Sequence, residues 1–172
     1  DKKQLALAPS SLILANNFLP LNEALSTTNM KVQTDTATIV FYDLSCLKHR
    51  LQDRCDWWSD PKLEIEEINS GNAVFIGIGT DGVVSVDISE SFPLDEFLVF
   101  NIKNESGTFF LGGGENVSGE DLEPDTDDGV FLEYKPGNYK VVAWVQKGEL
   151  FLNIAITKEA AKNEYASSPK VA

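Results

Sequence analysis

Between Thr36 and Tyr42 the side chains alternate, with Thr36, Thr38, Val40 and Tyr42 set against Ala37, Ile39 and Phe41. A period of two in β-prone residues predicts a strand over about 36–42. The period then changes. Asp43 and Ser45 can each cap free N–H groups, and Leu44, Leu47 and Leu51 recur at spacings of three and four, which predicts one short helix near 44–54 that ends before Trp57. Pro61 biases Asp60 away from helical angles and closes this unit. From Leu63 to Ile68 apolar residues alternate with Glu, the pattern of a half-buried strand or a helical turn, with the alternation favouring the strand.

After the turn Ser70-Gly71-Asn72, Ala73 to Ile78 is a nearly unbroken apolar run that reads as a buried strand. Thr80-Asp81-Gly82 carries the Asp-Gly signature of a tight hairpin, so Val83 to Ile88 is expected back as its antiparallel mate. Phe97 to Ile102 and Thr108 to Leu111, joined through Asn104-Glu105-Ser106-Gly107, form a second expected hairpin. Strands follow at Val130 to Tyr134, Tyr139 to Val145 and Leu150 to Ile156, punctuated by Lys135-Pro136-Gly137-Asn138 and Lys147-Gly148. The Ala- and Lys-rich stretch from Lys158 to Tyr165 predicts a helical turn before the chain frays. Short strands linked by turns, without internal repeats, predict a mainly β fold: an antiparallel β-sandwich or jelly-roll-like domain with one short helix near 44–54.

The first 29 residues differ in texture. Lys2 and Lys3 followed by Leu5 to Ala15 faintly resemble a secretory signal, but Pro9, Ser10 and Ser11 interrupt the run. The expected division is therefore 1–29 as a leader or additional segment docking through Leu12, Ile13, Leu14, Phe18 and Leu19; 30–157 as a single β-rich domain; and 158–172 as a C-terminal tail. At 172 residues one core can form without a disulfide or metal staple.

Composition narrows the partners. With 14 Lys and Arg against 27 Asp and Glu, the formal charge is −13. Such a chain repels phosphate backbones and anionic headgroups, so nucleic acid and membrane are excluded as partners and a cationic protein is favoured. Cys46 and Cys55 are too few for a disulfide framework and form no zinc pattern; as free thiols they point to a cytoplasmic location. No cofactor motif is present: Gly112-Gly113-Gly114 lacks the Lys-Ser/Thr pair of a phosphate loop.

The strongest electrostatic feature lies between Lys103 and Lys135, where nine acids and no base occur. Glu120, Asp121, Glu123, Asp125, Asp127 and Asp128 are the candidate partner-binding residues, where charge would steer association with a basic cleft. Asp125 to Gly129 resembles a calcium loop, but its glycine comes at the fifth position instead of the sixth and Pro136 replaces the closing Glu. An EF-hand is thereby excluded, no metal site is assigned, and a looser calcium site remains the alternative.

Other chemistry is sparse. His49 is the sole histidine; with Lys48, Arg50, Asp53, Arg54 and Asp56 it forms the densest polar cluster, and a surface role in which Asp53 pairs with a neighbour such as His49 outweighs catalysis. Cys46 or Cys55 beside His49 could form a thiolate pair, but no oxyanion motif accompanies them. Trp57 and Trp58 are a possible ligand platform for carbohydrate, although adjacent residues in extended chain face opposite ways. Trp144, between Val142 and Val145, reads as buried.

The run TDTATIVFYDLSCLKHRLQDRCDWWSDP, followed by EEINSGNAVFIGIGTDG, resembles a small bacterial family of unknown function over about residues 30–157. That family is loosely similar in size and acidity to immunity proteins of interbacterial toxin systems. The resemblance implies no catalytic residues. The nine-acid segment, a β-scaffold suited to presenting loops and the scarcity of catalytic combinations favour a non-enzymatic immunity or antitoxin-like protein that occludes a basic partner, such as a cognate toxin, with its acidic loop; the alternative is a β-sandwich module binding carbohydrate or calcium.

Overall fold

Nine strands are distributed over two stacked sheets in the computed structural model, which describes residues 28–53, 56–93, 95–117, 124 and 126–171. They are β1 (Thr28–Thr34), β2 (Thr38–Tyr42), β3 (Ala73–Gly77), β4 (Gly82–Ile88), β5 (Leu98–Asn104), β6 (Thr108–Gly113), β7 (Val130–Glu133), β8 (Gly137–Gln146) and β9 (Glu149–Thr157). One sheet has the order β1-β4-β9-β8-β5 and the other β3-β2-β6-β7. The fold is a mainly β sandwich, as the sequence predicts. The expected leader lies outside the described residues except for Thr28 and Asn29, which open β1.

The four-stranded sheet is covered on both faces at β3, β2 and β6, while Phe131 and Glu133 leave the outer face of β7 exposed. Across the sheet, Ile39, Ile76 and Gly113 share one rung, and Phe41, Val74 and Leu111 another. These point into the sandwich, where Phe41 and Phe109 lie 4.3 Å apart and Phe109 meets Tyr139 of the five-stranded sheet at 5.5 Å. The intervening rungs, Val40 with Phe75 and Tyr42 with Phe110, point the other way. They are covered by the insertion between β2 and β3, which consists of a 3-10 helix at Leu44–Gln52, a 3-10 turn at Trp57–Ser59 and α1 (Pro61–Asn69). Leu47, Trp57 and Ile68 from these elements are buried. Double coverage explains why β2 and β3 carry apolar residues on both faces: a half-covered strand would keep a polar side. Each large side chain buried in this way contributes about 1.5–3 kcal/mol.

Several local expectations are corrected. Leu63 to Ile68 is helix, not strand: Asp60 Oδ1 accepts from the Lys62 N–H at 2.9 Å, and Pro61 occupies the first turn, where its missing N–H costs nothing. The short helix near 44–54 forms with 3-10 geometry and ends at Gln52. The segment after Ile78 is not a hairpin, because β3 pairs with β2 while β4 pairs with β1 and β9, in the other sheet. The second expected hairpin fails likewise: β5 pairs with β8, and β6 with β2 and β7. The expected turn at Lys147-Gly148 does join β8 and β9, which pair antiparallel. One pairing, β4 with β9, is parallel.

Nor does the stretch 158–165 form a helical turn. It runs across the open side of the sandwich, where β5 and β3 are sheet edges. Asn163 donates to the Ile68 and Asn101 carbonyls at 2.6 and 2.9 Å and accepts from the Asn101 N–H at 2.7 Å. Tyr165 exchanges hydrogen bonds with the Asn69 side chain, donates its hydroxyl to the Val99 carbonyl at 2.8 Å and stacks on Phe100 at 5.0 Å. Further on, Gly77 donates to Pro169 and accepts from Val171, so the chain end is bridged to β3 as well. Two sheet edges are thus closed by one irregular segment, which removes templates for pairing with other chains.

Asp43 anchors the insertion to the sandwich. Fully buried, it accepts from the Ser45 N–H at 2.9 Å, the Glu105 and Ser106 N–H groups at 2.6 and 2.7 Å, and the Ser106 hydroxyl at 2.8 Å. Burial works to raise its pKa, but the hydrogen bonds from Ser106 and Ser45 outweigh it and hold the carboxyl below its ordinary value of 3.8.

Two tests follow from these contacts. A depressed pKa contributes stability that is present above the unfolded value and lost as pH falls through the folded one. Unfolding free energy of the wild type should therefore drop as pH falls below 3.8, whereas Asp43→Asn should be about 1–3 kcal/mol less stable at neutral pH with a flatter acid limb in urea titrations. Asn163→Ala should cost a similar about 1–3 kcal/mol and speed hydrogen exchange at the Asn101 amide; unchanged exchange there would remove the tail's role as edge cover.

Candidate functional site

Two polar regions merit attention, and they lie at opposite ends of the sandwich. The first contains His49. Glu67, on the inward face of α1 beside Ile68, is 3 % exposed. Its Oε1 accepts from Arg50 Nε at 2.7 Å and lies 2.7 Å from His49 Nε2, while Oε2 accepts from Asn72 Nδ2 at 2.5 Å. Arg50 extends the cluster to Asp53 at 2.9 Å and Glu66 at 3.4 Å, and its guanidinium sits 4.9 Å from the Trp57 ring centroid. Burial opposes the Arg50 charge, but hydrogen bonds and the charges of Asp53 and Glu67 outweigh it and raise its pKa.

This arrangement joins the 3-10 helix, α1 and the start of β3 through one carboxylate. Asp53 pairs with Arg50, three residues back, instead of His49. Among the described residues the His49 imidazole has the Glu67 carboxylate as partner, and no hydroxyl or thiol is hydrogen-bonded to it. Cys46 is a buried free thiol donating weakly to the Lys103 carbonyl; burial, then the Asp43 and Glu105 charges, pushes its pKa up to about 11, away from thiolate chemistry. Cys55 lies outside the described residues.

The tryptophans divide as follows. Trp57 is 5 % exposed, donates its indole N–H to the Val117 carbonyl at 3.1 Å and meets Phe75 edge-on. Trp58 is half-buried against the core. Trp144 is buried and stacks on Phe151 at 5.4 Å. The neighbouring glycines serve packing: a Cβ on Gly112 or Gly129 would collide with the Phe110 ring.

The second region is built by strand register. Thr34 pairs with Gly82, Thr38 with Gly77, Ile39 with Gly113, Leu111 with Val130 and Gln146 with Glu149. The turn 35–37, the crossing 78–81, the described ends of the 114–129 connection and the turn 147–148 consequently share one end of the sandwich, together with the segment 95–97 leading into β5. Asp35, Asp81, Asp95, Glu96 and Asp127 are exposed there, with Glu115 and Asp128 half-buried beside them. Among the described residues the bases at this end are Lys147 and Lys170, the latter beside Gly77. The opposite end mixes signs, with Lys48, His49, Arg50, Lys135 and Lys158 among its acids.

Both described ends of the 114–129 connection are tied to β1 and the turn after it. Glu115 accepts from the Asp35 N–H at 2.8 Å and from the Thr34 and Thr36 hydroxyls at 3.1 and 2.8 Å. The Asp128 carbonyl accepts from the Gln33 N–H at 3.1 Å. Glu120, Asp121, Glu123 and Asp125, named from the sequence, lie outside the described residues; Asp127 and Asp128 belong to the acidic end. Asp35, Asp81, Asp95 and Glu96 escape sequence reading because they are scattered over the chain. Their common signal is position, each in a connection that flanks the same end of a strand. Among the described residues, no three His, Cys, Asp or Glu side chains group to hold a metal ion, and no helix is long and apolar enough to cross a membrane.

The Glu67 cluster makes a direct prediction. Glu67→Ala leaves the mostly buried Arg50 without its closest carboxylate and should cost about 3–5 kcal/mol, whereas His49→Ala, removing a side chain 52 % exposed, should cost under about 1 kcal/mol. Paired denaturation curves read both, and equal losses would mean that the imidazole is the more important partner.

Two solved structures align with this chain. A protein titled "Crocagin biosynthetic gene J" aligns over 78 % of this chain and 99 % of its own, with 15 % identity and a TM-score of 0.51. ComJ from Bacillus subtilis, titled an inhibitor of the DNA-degrading activity of NucA, aligns over 76 % of this chain and 95 % of its own, with 8 % identity and a TM-score of 0.45. At such identities the likeness concerns the fold. No curated protein matches the sequence. A family model does match, over residues 26–170, from just before β1 through the edge-closing tail, and the chain therefore belongs to the family of unknown function DUF6386.

Proposed function

We propose that this chain is a non-enzymatic binding protein of the immunity or antitoxin type, acting in the cytoplasm, which occludes a basic protein partner such as a cognate toxin. Its contact residues are Glu120, Asp121, Glu123, Asp125, Asp127 and Asp128, of which the described Asp127 and Asp128 lie at the acidic end of the sandwich with Asp35, Asp81, Asp95 and Glu96. The observation that supports this reading most is convergence: acids from the turn 35–37, the crossing 78–81, the 95–97 segment and the 114–129 connection meet at one end, where two lysines oppose them among the described residues. Such a one-signed surface raises the encounter rate with a cationic protein and disfavours anionic ones. Presentation on sandwich connections gives it a rigid base, with Glu115 and the Asp128 carbonyl fixed to the β1–β2 segment.

The test is a tagged pull-down from source cells at low salt, eluted by a rising salt gradient and identified by mass spectrometry. A single basic protein leaving at a defined step is the expected result. Asp125→Asn, Asp127→Asn and Asp128→Asn combined should weaken its binding by on the order of tenfold or more, mainly through slower association. A partner whose affinity ignores both salt and these substitutions would overturn the acidic end as the contact surface.

A further inference from the structure

The acidic end also contains a groove. Residues 95–98, the end of β8 at Val145 and the chain end at Lys170 and Val171 enclose an open cavity of about 730 Å³. Its walls include Phe97, Leu98, Val145 and Val171, with Asp95 and Glu96 at the lip. A smaller cavity of about 230 Å³ adjoins it, sharing Asp95, Glu96 and Val145 and adding Phe92 and Trp144. Two aromatic rings stand unusually free here: Phe92 is 66 % and Phe97 52 % exposed. Among the described residues, neither Asp95 nor Glu96 forms an ion pair.

Exposed aromatics beside a cavity are the anatomy of a binding hot spot, where an apolar anchor enters and the surrounding contacts exclude water. The charge at the lip decides what kind of anchor. Two exposed carboxylates against one lysine, Lys170, leave the apolar cleft bordered by net negative charge, which favours an apolar side chain whose neighbours are Lys or Arg and disfavours an acidic or phosphorylated segment. We propose that this groove, between residues 95–98, Val145 and the chain end, is the anchor site for an apolar side chain within a lysine- or arginine-rich segment of a protein partner. The proposal deepens the reading of the acidic end and rests on it: the acidic connections draw the cationic partner in, and the groove supplies contact that salt does not screen.

The experiment uses the full chain and two synthetic peptides of equal charge, Lys-Leu-Lys-Phe-Lys-Leu-Lys and Lys-Ser-Lys-Ser-Lys-Ser-Lys, titrated by calorimetry at low and moderate salt. The leucine and phenylalanine peptide should bind about tenfold tighter than the serine peptide, and the preference should survive moderate salt. Phe92→Ser with Phe97→Ser, both largely exposed and so compatible with folding, should abolish the preference while leaving serine-peptide binding unchanged. Asp95→Asn with Glu96→Gln should weaken both peptides. If both peptides bind the wild type equally, or the preference survives loss of both phenylalanines, the groove is overturned and the cationic-partner reading stands. If neither peptide binds even at low salt, both fall together.

Discussion

A sheet that is apolar on both faces has to be covered on both, and most of this molecule follows from that requirement. Strands β2 and β3 place Ile39, Phe41, Val74 and Ile76 into the sandwich and Val40, Tyr42 and Phe75 away from it, all buried. The five-stranded sheet covers the first set. The second needs another layer, and the insertion between β2 and β3 supplies it with Leu47, Trp57 and Ile68. Because this layer is short and irregular, side-chain hydrogen bonds hold it where a longer helix would rely on its own apolar stripe. Asp43 fixes its start to the β5–β6 turn, and Glu67 joins its two helical parts and the beginning of β3.

This accounting changes the meaning of the polar residues that first attract attention. His49 and Glu67, 2.7 Å apart, have the distance of a catalytic dyad. Their setting is that of a buried carboxylate satisfied by three donors, the geometry a polar network needs if it is to sit in a core at tolerable cost. Trp57 is likewise drawn inward, its indole N–H satisfied by the Val117 carbonyl. The other end of the sandwich differs in kind: among the described residues it exposes Asp35, Asp81, Asp95, Glu96 and Asp127 against Lys147 and Lys170.

Legibility from sequence divides along the same line. Strand locations were readable because alternation and apolar runs are local signals. Partners were not: the Asp81-Gly82 turn looks like a hairpin, yet β3 and β4 belong to different sheets, since both are apolar enough to serve either and the choice is made by strands far along the chain. At Leu63 to Ile68 the Leu-Glu-Ile-Glu alternation competed with a helix start at Asp60-Pro61, and the start prevailed because Asp60 caps the first turn while Ile68 faces the core. The segment after Lys158 was readable only as composition; its role depends on Asn163 and Tyr165 meeting β5 and Asn69. Of the acidic site, the run ending at Asp128 was visible as a block of charge. Asp35, Asp81, Asp95 and Glu96 join it only through register.

In the proposed complex the two kinds of surface at the acidic end would act at different ranges. Charges spread over several connections act at long range and are screened within about 8 Å at physiological salt, so they govern encounter more than residence. A cleft with Phe92 and Phe97 at its rim acts only at contact, and apolar burial there is insensitive to salt. Tight binding of a charged protein at physiological salt needs the second as well as the first, because attraction alone leaves dissociation fast. The fold places both at one end of the sandwich, and the tail that closes the β5 and β3 edges ends at Lys170 and Val171, in the wall of the cleft. Edge closure and cleft formation are therefore two consequences of one segment, and in the proposed complex residues 158–171 would serve both stability and contact.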